Sequence, residues 1–161
     1  MVRIAIIALL VLLQAVFGAP EFLSGADHYW QRALFYSLFH ANWLHLAVNV
    51  IAVWSIFAPS RNNKVLLVAL FIAVLVYPLS FRPVIGFSNV LYAVLGLRTP
   101  ALSSPWWKHP AVITFLVITV AMVFIPSLSA TTHIAAFLLG MAGASLRRFH
   151  QDLTRDCRRY L

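Results

Sequence analysis

Gly86-Phe-Ser88-Asn-Val-Leu-Tyr92-Ala-Val-Leu-Gly96 sets a serine and a tyrosine one helical turn apart inside an apolar run. Ser88 and Tyr92 are i and i+4, so they share one helix face. The run, Ile85–Leu97, has companions at Ile4–Gly18, Leu44–Ala58, Val65–Leu79, Pro110–Ile125 and Thr132–Leu146. The 161 residues are 62% hydrophobic and 10% charged, more apolar surface than a soluble domain of this length can hide. A spanning helix needs about 20 mostly apolar residues. The expectation is an all-α, polytopic membrane protein with six transmembrane helices. Ile85–Leu97 is the shortest run, and Pro78 and Pro83 interrupt the approach to it. Irregular backbone at membrane depth is tolerated only inside protein or beside a watery cavity, so Ser88 is expected in a water-accessible dip, heading a short helix.

Charge placement orients the chain. Between the runs, one side carries Arg3, Arg61, Lys64, Arg98, Lys108, Arg147, Arg148, Arg155, Arg158 and Arg159, and the other only Arg32 and Arg82. Under the positive-inside rule both termini are cytoplasmic. The net charge of +8 therefore reads as topology and contact with anionic headgroups rather than nucleic-acid binding, for which no basic and aromatic module is present. The expected layout is one membrane domain over 1–161. It comprises a first span at 1–19, an external loop at 20–43, five spans at 44–146 and a basic cytoplasmic tail at 147–161.

Arg3, the first run and Gly18-Ala19-Pro20 also fit a signal peptide. Cleavage after Ala19 would put bulky Phe17 three positions back, and removal would break the charge agreement, so a retained helix is expected. The external loop holds Tyr29, Trp30, Phe35, Tyr36, Phe39 and Trp43. Such aromatic density suits either an interfacial anchor or a segment flanking a site opening. Cys157 is the single cysteine, which excludes an intramolecular disulfide and reads as a reduced thiol.

Polar groups inside the runs mark the chemistry, because they are costly to keep in hydrocarbon. The four acidic residues, Glu21, Asp27, Asp152 and Asp156, all lie outside the runs. That excludes an aspartyl dyad, an HExxH metal site and a carboxylate proton relay. Serine with histidine remains as a pair for covalent catalysis. Ser88 at a helix start would have free N–H groups and the positive dipole end beside it, and Gly86 permits close backbone approach. His133 heads the last run, followed by Ala136, Gly140 and Ala144 on one small-residue stripe, which lets a neighbouring helix come close. A histidine at the end of such a stripe is well placed as a base. Tyr92 either steadies that imidazole by stacking or fills the core. His45 and Asn49 are i and i+4, so their N–H donors can serve a developing oxyanion together with the Ser88 backbone N–H. His40 reads as structural. A metal site from His40, His45 and His133 is disfavoured, because it lacks acidic or thiolate ligands and the usual spacing. His28, His109 and His150 fall in loops or the tail.

These residues carry a resemblance. Phe39-His40-Ala-Asn-Trp-Leu-His45-Leu-Ala-Val-Asn49 resembles the second-span signature of rhomboid intramembrane serine proteases. Gly86 to Gly96 is similar to their nucleophile helix, and His133 through Ala144 to their last-span histidine and small residues. Trp30 and Arg32 resemble the Trp-Arg pair of the family's first external loop, with one residue inserted. The resemblance implies the six-helix rhomboid-like fold of small bacterial members and location in the inner membrane. It implies Ser88 as nucleophile, His133 as base, an oxyanion hole of His45, Asn49 and the Ser88 amide, and Tyr92 in support of His133. The implied reaction is peptide-bond hydrolysis in or beside the transmembrane segment of a protein substrate, with no metal and no cofactor. Asn89 stands where the family usually has glycine or alanine, and Ala136 where glycine is common. The alternative from another class is an inactive rhomboid-like protein that binds or escorts membrane proteins. Such relatives typically lose the serine or the histidine.

Overall fold

The computed structural model describes residues 2–18, 29–56, 63–80, 85–99, 105, 108, 110–124 and 129–159. His28, Arg82, Pro83 and His109 lie outside the described residues, as do the side chains of Trp30, His150 and Cys157. The order is α1 (Val2–Phe17), α2 (Tyr29–Phe35), a 3-10 turn (Tyr36–Leu38), α3 (Trp43–Ile56), α4 (Asn63–Val76), a second 3-10 turn (Tyr77–Leu79), α5 (Ser88–Arg98), α6 (Pro110–Val123) and α7 (Ala130–Arg159). Among the described residues there is no strand, so the all-α expectation holds.

Local chemistry fixes the helix ends. Asn42 precedes α3 and its Oδ1 accepts the His45 N–H at 2.8 Å, satisfying one of the orphan donors of the first turn. At the far end of α3 the Arg98 guanidinium donates to the Ile56 carbonyl, while Arg3 lies over the Trp54 ring at 3.9 Å. Two arginines that the charge count assigns to one side thus meet at one end of α3. Thr99 closes α5 by donating its hydroxyl to the Leu95 carbonyl at 2.8 Å.

α5 is the centre of the bundle. Every residue from Asn89 to Gly96 is buried. It packs most extensively on α7 and next on α4. The contact with α7 is backbone to backbone: a Cβ added at Gly96 would meet the Phe137 carbonyl oxygen at 2.1 Å, and one at Gly140 would meet the Ala93 oxygen at 2.5 Å. Ala136 and Ala144 are buried on the same stripe. The small-residue face read from the sequence is therefore the face that α5 occupies.

The outside of the bundle is apolar. Leu44 and Ile51 of α3, Leu67 and Phe71 of α4 and Val117 of α6 are all exposed. Among the described residues no helix is long and apolar enough to cross a membrane. α1 has 16 residues and α3, α4 and α6 have 14 each, a rise of about 21–24 Å against roughly 30 Å of hydrocarbon.

The helix begins at Ser88, as expected, within the apolar run that starts at Ile85, because Gly86 has φ +126°, a conformation that ends helical geometry there. Two elements differ from the sequence expectation. The external loop contains α2 and a 3-10 turn. The last helix does not stop at Leu146 but runs to Arg159, through the segment read as a tail. A polar sequence ends burial, not the backbone hydrogen bonds that make a helix.

Candidate active site

Ser88 is the first residue of α5 and His133 lies in the first turn of α7. The backbone contact between the two helices sets the spacing of the side chains at their ends. His133 Nε2 stands 2.7 Å from Ser88 Oγ. His133 Nδ1 faces the carbonyl of Ser129, the residue before α7. A carbonyl only accepts, so Nδ1 bears the ring proton and Nε2 keeps a lone pair toward the serine hydroxyl. That is the protonation pattern a general base needs. The Thr132 hydroxyl donates to the same carbonyl at 3.1 Å.

Tyr92 lies one turn below Ser88. Its ring meets the His133 ring edge-on, centroids 4.7 Å apart at 70°. Its hydroxyl is anchored on α6, 2.6 Å from Thr119 Oγ1 and 3.0 Å from the Phe115 carbonyl. Tyr92 is thus both a core filler and the wall against which the imidazole rests.

His45 closes another side. Its ring packs so tightly on Gly86 that a Cβ there would come within 2.6 Å of His45 Cε1. Gly86 is required twice, by its positive φ and by this approach. Asn49 is buried one turn below His45 and donates Nδ2 to the His45 carbonyl at 2.9 Å. One amide hydrogen remains uncommitted by that bond, and Oδ1 has no partner among the described residues.

His40 is fully buried in the connection before α3, its ring 5.2 Å from that of His45. Its Nε2 accepts the Phe87 N–H at 3.4 Å, tying that connection to the residue before the serine. Burial first, and His45 second, push His40 down from 6.5 to about 4. The folded chain therefore binds this proton less readily than the unfolded one. Stability is full above pH 6.5 and falls as pH drops toward 4. His40→Gln should flatten that fall by up to about 3 kcal/mol, read from melting curves across this range. An unchanged slope would place the acid sensitivity elsewhere. Among the described residues no three histidine, cysteine or carboxylate side chains form a group able to hold a metal ion.

Sequence reasoning missed the Ser129 carbonyl, Thr119 and Tyr36. The Ser127-Leu-Ser-Ala-Thr-Thr segment signals a helix start, but nothing in it says that a backbone oxygen would orient the histidine. Asn89 is fully buried and donates Nδ2 to the Tyr36 hydroxyl at 3.0 Å.

A half-buried serine facing a buried histidine, on two helices packed glycine to glycine, is the centre of this all-helical protein. The family model for the Rhomboid domain matches residues 27–148. This chain belongs to the rhomboid family, and membership makes it a membrane protein. No curated protein matches it.

Proposed function

We propose that this chain is an active intramembrane serine protease that hydrolyses a peptide bond in or beside the transmembrane segment of a protein substrate. The observation that supports it best is the 2.7 Å approach of Ser88 Oγ to His133 Nε2, with Nδ1 committed to a carbonyl. Ser88 Oγ attacks the scissile carbonyl carbon while His133 Nε2 takes its proton. The tetrahedral oxyanion collapses as His133 returns that proton to the leaving amine, leaving an acyl-enzyme on Ser88. A water that gives its proton to His133 then releases the acyl group and restores the serine. His45, Asn49 and the Ser88 N–H are the proposed oxyanion donors, His40 and Gly86 hold that side of the site in shape, and Tyr92 supports the base.

The same reading takes residues 1–161 as one membrane domain with six transmembrane helices, both termini cytoplasmic, in a bacterial inner membrane. The exposed apolar side chains of α3, α4 and α6 favour lipid as their surroundings. The partners are the bilayer and a transmembrane substrate, with no nucleic acid, metal or cofactor.

Labelling of the full-length protein in detergent by a fluorophosphonate probe tests this. An activated serine reacts; a folded chain that stays unlabelled overturns the reading in favour of a binding protein without catalysis. Asn49→Ala should lower the labelling rate roughly tenfold or more, toward the loss of about 10²–10³ typical of one oxyanion donor. A rate equal to wild type would remove Asn49 from the oxyanion hole.

A further inference from the structure

Tyr36 holds the chain on both sides of Ser88. Its carbonyl accepts the Gly86 N–H at 2.9 Å, two residues before the serine. Its hydroxyl accepts Asn89 Nδ2 at 3.0 Å, one residue after it. The same hydroxyl donates to the Ala73 carbonyl in the last turn of α4 at 2.8 Å. The ring is fully buried and lies against Tyr77 with centroids 4.9 Å apart. Burial pushes the Tyr36 hydroxyl up to about 12, so it keeps the proton it gives to Ala73.

Geometry gives this contact a consequence. A tyrosine has two side-chain torsions, and here the backbone end is held by Gly86 and the far end by Ala73. Asn89 is therefore tied to a fixed point, and the short segment 86–89 is pinned at both ends. Asn89 is itself fully buried, and its Oδ1 finds no partner among the described residues. Alanine or glycine would bury no orphan oxygen at this position, so a buried amide is retained here against its desolvation.

We propose that Tyr36 and Asn89 form a clamp of positioning residues that fixes Ser88 Oγ in line with His133. The proposal rests on the protease reading. A displacement of about 1 Å at a reacting atom can lower a rate by up to a hundredfold, which gives the clamp leverage although both residues are fully buried.

The test is labelling kinetics with a fluorophosphonate on wild type, Tyr36→Phe, Asn89→Ala and the double variant, alongside thermal melting. Tyr36→Phe keeps the ring and the Gly86 contact and removes only the hydroxyl. Each single change should slow the maximal labelling rate about tenfold and leave the half-saturating probe concentration unchanged. The double variant should be no slower than either single, because both remove one shared bond. A folded Tyr36→Phe protein that labels at the wild-type rate overturns the clamp while leaving the protease reading intact. Multiplying effects in the double variant, or a loss that follows melting temperature alone, also overturn it. If wild type itself does not label, the protease reading falls and the clamp with it.

Discussion

Ser88→Ala and His133→Ala each abolish labelling by a fluorophosphonate and cleavage of a membrane-anchored substrate, and both variants remain folded and inserted. The expected loss is about 10⁴-fold or more for either change, because a nucleophile and its base act as one unit. Ser88→Ala removes the atom that forms the covalent bond. His133→Ala leaves the hydroxyl without an acceptor for its proton, and none of the four acidic residues lies in an apolar run to replace it. The fold should survive because Ser88 sits at the end of α5 rather than in its buried middle. Intact-protein mass spectrometry measures the adduct directly. An adduct on Ser88→Ala would move the nucleophile elsewhere and sink the mechanism.

On the protease reading, Gly96→Ala should abolish labelling nearly as completely without touching Ser88 or His133. The added carbon would overlap the Phe137 carbonyl oxygen at 2.1 Å, and backbone cannot rotate out of the way as a side chain can. The helices must move apart, and Ser88 and His133 sit on those same two helices. Overpacking costs about 1–3 kcal/mol, so melting temperature and labelling should fall together. Gly140→Ala should behave alike, with the Ala93 oxygen at 2.5 Å. Gly143→Ala is the control: its new carbon would meet only Leu97 Cδ2 at 3.8 Å, an ordinary contact. If Gly96→Ala were as benign as Gly143→Ala, α5 and α7 would not be in backbone contact.

Legibility in the sequence followed physical rules. The positions of α1, α3, α4 and α6 were readable because uninterrupted apolar runs leave few alternatives. α2 was not, since seven residues in an aromatic-rich stretch carry too little periodicity. The extension of α7 was hidden by a change of composition that the backbone does not obey. In the site, Ser88 and His133 stood out as polar groups where hydrocarbon was expected, and Ala136, Gly140 and Ala144 pointed to a close neighbour. Which helix that neighbour was could not be read, because a pairing such as Gly96 with Phe137, 41 positions apart, leaves no local mark. Tyr36 looked like one interfacial aromatic among six, and its role depends on two hydrogen bonds to residues 50 and 53 positions away. A carbonyl such as that of Ser129 has no letter of its own.

The carbonyl of Ser129 bears on how such a site can exist between turnovers. Serine hydroxyl, singly protonated imidazole and peptide oxygen are all electrically neutral, so the resting arrangement holds no formal charge. A carboxylate in the same place would bring a permanent anion into low-dielectric surroundings, at a penalty of several kcal/mol. On the proposed mechanism, ionisation is confined to the moment when imidazolium and oxyanion appear together as a transient pair. With no carboxylate beside His133 among the described residues, the proposed site would rest in hydrocarbon as a set of dipoles and become a salt only when a substrate is bound.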